Sequence, residues 1–310
     1  MSMRFAIDAW APEYGSGIDD VVDGDPTADV EPGVEVEPSA WAPRAADIAP
    51  PPALVFVDGV NRIDAQVWIT EPGGGARPGL CATYAAGAVH CDGTAEISDC
   101  RVERGLFTSS GAVERIETRH GAYEPRMCAG GPDQLPIAVV ERMRHLEAEV
   151  ARGITDAELI ILDGLLWGRA DVRNAVGYVK SHRAPYLPDE LNEVVAALEP
   201  GQRTPLFIIT TQWSRISWYM RLPGGAGHAW AGIVRCEVSP DLAPKDAARL
   251  ADLTCAALPR YASSRHKDPR APQNLYPIGG LERELRRRSG DRALVYRDLL
   301  GAARAASFTS

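Results

Sequence analysis

Hydrophobic and polar positions follow no sustained period over the first fifty residues, and a regular pattern begins only after Pro50-Pro51-Pro52. Ala53–Asp58 (ALVFVD) is a continuous apolar run closed by a carboxylate, which predicts a strand buried on both faces. Gly59-Val60-Asn61-Arg62 reads as a turn-like break before a second strand, Ala65–Thr70 (AQVWIT). A Gly/Pro loop over 71–79 leads into a third strand, Leu80–Cys91, and a fourth is expected near Arg101–Phe107. Adjacent strands with short connections predict an antiparallel meander.

The period then changes. Gln134–Arg152 places Val140, Met143, Leu146 and Val150 on one stripe at helical spacing. Glu158–Asp163 (ELIILD) is another buried-strand run, and Asn192–Leu198 reads as a short helix. Leu206–Thr211, Ile216–Leu222 and Ala229–Val238 are expected strands. Two helices close the chain: Pro244–Leu258, with Leu250, Leu253 and Ala257 on one face, and Ile278–Arg288, with Ile278, Leu281 and Leu285 aligned. This order is not Rossmann alternation. It matches an RNase H-like α/β layout, a mixed sheet with antiparallel strands first and parallel ones later, flanked by helices.

Composition adds an appendage. The chain has 310 residues, 45% of them hydrophobic and 24% charged, enough for one large core. Residues 16–50 are rich in Asp, Glu, Pro, Gly and Ala, so 1–52 reads as an extended acidic arm and 53–310 as the folded body. Trp10, Val30 or Trp41 are positions at which the arm can be pinned. Between Phe5 and Pro43 lie ten acidic residues and no Lys or Arg. The net charge of −9 belongs to this arm, since the residues other than those ten acids carry 33 basic against 32 acidic side chains. A near-neutral, Arg-rich body is compatible with nucleic acid. No apolar run reaches the roughly 18 residues of a membrane span, and MSMRFAIDAW lacks a signal-peptide core, so a cytoplasmic protein is expected. Six cysteines without a CxxC pair suggest reduced thiols.

Two phrases carry candidate chemistry: VFVDGV at 55–60 and IILDGL at 160–165. Each ends an apolar strand with Asp-Gly. An Asp-Gly turn is an ordinary way to close a strand, but an ionised Asp at the end of a buried strand also needs a donor, solvent or a cation. A haloacid-dehalogenase reading of VFVDGV fails, because Phe56 stands where the nucleophilic Asp is required. There is no GxxxxGK[ST] phosphate loop and no HExxH zinc pattern. Carboxylates from neighbouring strands suit Mg²⁺ or Mn²⁺, and a pair of such ions is a known solution for phosphodiester hydrolysis. Asp58 and Asp163 are too few for two dications. Glu147, at i+4 from Met143 and i−3 from Val150, can face the sheet. Glu282, beside Ile278 and Leu285, supplies a fourth candidate, with Asp268 its competitor, whereas Glu284 groups with Arg287 and Arg288. Lys180, one of three lysines, is a candidate phosphate contact, as is the basic loop of Arg265, His266, Lys267 and Arg270. Trp213, Trp218 and Tyr219 are candidates for stacking on an unpaired base, with core packing the stronger alternative for Trp218.

Taken together, VFVDGV, ILDGLL about a hundred residues later, the helix bearing Glu147, Gly177-Tyr178-Val179-Lys180-Ser181, and Tyr276-Pro277-Ile278 entering a helix resemble the NurA nucleases over residues 53–290. The resemblance implies an RNase H-like fold and Mn²⁺- or Mg²⁺-dependent DNA cleavage, both 5′→3′ exonuclease and single-strand endonuclease. It also implies a homodimer working with a hexameric HerA-type ATPase in DNA end processing or defence against foreign DNA. Members read Asp-Gly-Ser at both aspartates, whereas Val60 and Leu165 stand here. That departure keeps open a non-catalytic subunit that binds DNA or a motor ATPase.

Overall fold

The computed structural model describes residues 28–180, 186–225 and 227–307. Residues 1–27 of the arm, including Trp10 and Tyr14, and Ser181 of the 177–181 phrase lie outside the described residues. The chain is mixed α/β, with a large sheet of parallel and antiparallel strands flanked by helices. Strands β1 (Asp29–Glu31), β2 (Arg44–Ala45), β3 (Leu54–Thr70), β4 (Ala76–Cys91), β5 (Ala95–Thr108), β6 (Ile116–Thr118) and β7 (Gly121–Met127) precede helix α1 (Leu135–Arg152). Then come β8 (Ile160–Asp163), β9 (Ala175–Val179), α2 (Asp189–Ala196), β10 (Gln202–Arg203), β11 (Phe207–Thr210), β12 (Ser214–Arg221) and β13 (Ile233–Val238). Helices α3 (Pro244–Ala257), α4 (Tyr276–Arg288) and α5 (Arg292–Ser307) follow. Among the described residues no helix is long and apolar enough to cross a membrane.

The chain divides into two compact units. The first comprises Met1–Val57, Val89–Glu96 and Ala151–Gly279, and the second Asp58–Ala88, Ile97–Val150 and Gly280–Ser310. In the first, the strand order runs β1-β11-β12-β13-β9-β8-β3. β8 lies parallel to both the opening of β3 and β9, in the register Val55↔Ile160, Phe56↔Ile161 and Val57↔Leu162. Such strands are covered on both sides, which is why they read as unbroken apolar runs. All of Leu54–Val57 and Ile160–Leu162 are buried. Helix α3 buries Leu250, Leu253 and Ala257 as its periodicity predicts, and Thr254 on the same helix accepts a hydrogen bond from the Trp218 indole at 3.2 Å. Trp218 is therefore a core residue. Tyr219 is one as well, stacked on Phe207 with ring centroids 5.5 Å apart, which removes it from the base-stacking candidates.

Residues 28–50 are tied to this unit instead of trailing from it. β1 pairs with β11, β2 pairs with β10, and Trp41 is buried against Phe207. The Glu35 carboxylate receives two hydrogen bonds from the buried Arg203 guanidinium, at 2.8 and 2.9 Å, and one from Leu206 N. Burial alone would raise the Glu35 pKa, but the Arg203 hydrogen bonds and charge, Leu206 N and Arg44 together hold it below the ordinary value of 4.5. A depressed carboxylate stabilises the fold above its unfolded pKa, and that contribution is lost as the pH falls through the folded value. Glu35→Gln is therefore expected to lower stability at neutral pH, with the difference from wild type shrinking below pH 4.5. Urea unfolding at pH 7 and under acid conditions measures this.

In the second unit β3 runs on beside β4, then β5, β7 and β6. The expected break at Gly59–Arg62 does not occur, because β3 is a single strand of 17 residues. β6 and β7 form an antiparallel hairpin, and β7 lies parallel to β5. Helix α5, which no element assigned above anticipates, packs Val295 and Leu299 against Cys81, Leu106 and Tyr123. Its start is capped by Asp291, whose carboxylate accepts from the backbone N–H groups of Ala293 and Leu294. Helix α4 buries Ile278, Leu281 and Leu285. On α1 Val139, Leu146, Glu147, Ala148, Val150 and Ala151 are buried, whereas Val140 and Met143 of the expected stripe are half-buried.

Candidate metal centre

The strand register brings the two Asp-Gly phrases side by side. Val57 faces Leu162 across the β3–β8 pair, and Asp58 and Asp163 are the next residues on their strands. Asp58, Asp163 and Glu282 each offer a carboxylate oxygen, and the three atoms lie within 4.8 Å of one another. Asp58 and Glu282 are each 6% exposed. Glu282 projects from the buried face of α4, next to Leu281 and Leu285, and Arg286 meets it one turn on at 3.2 Å.

The two glycines differ in purpose. Gly164 has φ +83°, a left-handed conformation that lets the chain turn out of β8 immediately after Asp163. Gly59 sits inside a strand, where absence of a side chain permits close approach. A Cβ there would lie 2.6 Å from Glu147 Oε1, 3.0 Å from Ala85 O and 3.0 Å from Met143 Cγ. The Glu147 carboxylate thus reaches the backbone beside Asp58, and the side chain is 2% exposed, as a sheet-facing acid should be. Gly59→Ala is expected to destabilise the protein by about 1–3 kcal/mol through overpacking. Glu147→Ala should recover part of the loss, a coupling that denaturant titration of the double variant measures.

Lys180, the candidate phosphate contact whose alternative was an ordinary surface lysine, is 5% exposed, and its ammonium lies 2.5 Å from Asp163 Oδ2. Asp163 pairs with Tyr178 across β8 and β9, and residues two apart on a strand share a face, so Lys180 falls on the Asp163 side. Neither Glu147 nor Asp268 belongs to the three-oxygen group; the Asp268 carboxylate accepts from Asn274 Nδ2 at 2.6 Å and from Arg270 N at 2.8 Å. Burial opposes its ionisation, but the Asn274 and Arg270 hydrogen bonds outweigh this and lower its pKa. Arg265, His266 and Lys267 are exposed on the same loop, with the Lys267 ammonium 5.2 Å from the Tyr276 ring centre.

Several positioning residues escaped the sequence reading. Asn274 joins Lys180 to Asp268, with Oδ1 accepting from the ammonium at 3.0 Å. Arg169, 1% exposed, donates to Asp163 O at 3.1 Å and also to Leu165 O, gripping the exit from β8. Glu237 Oε1 accepts from Leu166 N at 2.6 Å. Gly177 makes that reach possible, because a Cβ on β9 would lie 2.9 Å from both Glu237 Cγ and Leu166 N. The available signal was a charged residue inside an otherwise apolar strand: IVRCEV holds both Arg235 and Glu237.

Chemically, the donor set fits a hard divalent cation. It consists of carboxylate oxygens within 4.8 Å of one another, and two of the three acids are buried. The sequence matches no family model and no curated protein.

Proposed function

We propose that this chain is a divalent-cation-dependent nuclease acting on DNA, in line with its resemblance to the NurA nucleases. The observation that carries the reading is the convergence of Asp58, Asp163 and Glu282 within 4.8 Å. Asp58, Asp163 and Glu282 would hold Mn²⁺ or Mg²⁺, with Glu147 beside Gly59 as a further acid. A cation held there supplies Lewis-acid stabilisation of charge on phosphate oxygen and lowers the pKa of a bound water. The protein's own part is positioning. Arg169 and Glu237 hold the turn that presents Asp163, while Lys180 offsets one of the negative charges. Exposed Arg265, His266 and Lys267 are suited to backbone phosphate, a contact that positions the strand without reading its sequence. A homodimer and a hexameric HerA-type ATPase belong to the same proposal.

One feature favours a second reading, a non-catalytic subunit that binds DNA or a motor. Lys180 already supplies a positive charge to Asp163, as an internal substitute for a cation would. The two readings separate in one assay. Purified protein with Mn²⁺ or Mg²⁺ is incubated with end-labelled linear duplex DNA, single-stranded DNA and RNA. Degradation of DNA supports the nuclease, and preferential loss of RNA redirects the substrate class. Binding of DNA without turnover under either ion supports the second reading.

A further inference from the structure

A side-chain amide has a donor end and an acceptor end, whereas an ammonium only donates and a carboxylate only accepts. Asn274, 1% exposed, is placed between one of each. Its Oδ1 accepts from Lys180 Nζ at 3.0 Å, and its Nδ2 donates to Asp268 Oδ2 at 2.6 Å. Only one orientation of the amide satisfies both neighbours, so Asp268 fixes the oxygen towards Lys180. The segment is anchored twice more: Tyr178 donates to Gln273 O at 2.7 Å, and Asn274 N donates to Arg270 O at 3.1 Å. Lys180 therefore lies between the carboxylate of Asp163, at 2.5 Å, and an amide oxygen aimed at it from another segment.

A cation arriving at Asp163 meets an ammonium already there, and like charges repel. We propose that Asn274 is a positioning residue whose oxygen, held in place by Asp268, retains the Lys180 ammonium when Asp163 turns to a divalent cation. The inference rests on the carboxylate centre of the nuclease reading and deepens it. It assigns Asp268 a role in orienting an amide, one residue removed from the ligand role expected from the sequence. It also makes Asn274 matter through Lys180, a dependence that a purely structural role would not show.

The test uses the full chain and Mn²⁺ alone, with affinity measured by titration calorimetry. Asn274→Leu is expected to weaken Mn²⁺ binding by about 10–100-fold, the usual range for a residue supporting a metal ligand. In a Lys180→Met background the same change is expected to have less than about a threefold effect, because no ammonium is left to retain. Asp268→Asn frees the amide to turn and is expected to weaken binding in the same direction, by less. It also carries the test if Asn274→Leu fails to give a wild-type melting curve. An unchanged affinity in both variants, or equal losses with and without Lys180, overturns the inference alone. Absence of Mn²⁺ binding by the wild-type chain overturns the carboxylate centre as well.

Discussion

Asp58→Asn is expected to reduce manganese-dependent DNA cleavage on the order of 10²–10³-fold, the scale of losing one preorganised electrostatic group at a reacting centre. The amide keeps the shape of the side chain and removes its charge. Two other carboxylate oxygens lie within 4.8 Å of that of Asp58, and although Lys180 meets Asp163 and Arg286 meets Glu282, neutralising Asp58 lessens like-charge repulsion at the centre. The melting temperature should accordingly hold or rise while activity falls. Few substitutions at an acidic residue with 6% exposure separate these effects so clearly. Asp163→Asn is the less clean variant, since Lys180 would lose the carboxylate 2.5 Å from its ammonium and stability would fall too. Single-turnover kinetics on end-labelled DNA, with thermal melts of the same samples, provide the measurement. The loss should appear in the rate of cleavage and not in DNA affinity, because the exposed Arg265–Lys267 loop is untouched. Cleavage at the wild-type rate would remove Asp58 from the mechanism.

Glu237→Gln is expected to destabilise the protein by about 3–5 kcal/mol, the range for breaking a buried ion pair by removing one partner. Glu237 is fully buried, and its Oε2 lies 3.4 Å from Arg215 Nε and 3.2 Å from an Arg235 nitrogen. Those guanidiniums are 0% and 2% exposed, and the Tyr186 ring centre lies 5.7 and 5.0 Å from them. Glutamine retains an acceptor for Leu166 N, so the variant isolates the loss of charge from the loss of that hydrogen bond. Glu237→Leu removes both and should be worse. Urea unfolding of the two variants measures the difference. A loss below about 1 kcal/mol, the level of an exposed pair, would show that the network is solvated.

Legibility of the fold followed how local its causes are. The faces of α3 and α4 were readable because side-chain spacing along a single helix decides them, and Leu250, Leu253, Ile278, Leu281 and Leu285 are all buried. The buried runs at 54–57 and 160–162 were readable because parallel strands covered on both sides leave no polar positions. Helix α5 went unread although Asp291 and the i, i+4 pair Val295 and Leu299 mark it, since flanking exposed Leu294, Tyr296 and Leu300 blur its face. Gly59 reads locally as a turn within β3, yet that glycine is needed for the approach of Glu147 and Ala85. β9 was not assigned as a strand, because a five-residue apolar stretch containing glycine has no period of its own.

By itself the sequence determined that Asp58 and Asp163 end apolar strands and that Glu147 and Glu282 border apolar helix stripes. Burial of an ionised group needs a reason, and that much is a property of local pattern. Which of them meet, and what answers their charge, was decided only by tertiary structure. Lys180 reads as a surface lysine until the β8–β9 register turns it towards Asp163, and Asn274 carries no signal at all until the chain returns past Lys180. Electrostatic partnership depends on distances of a few ångströms between residues up to 168 positions apart, and only the folded chain sets such distances.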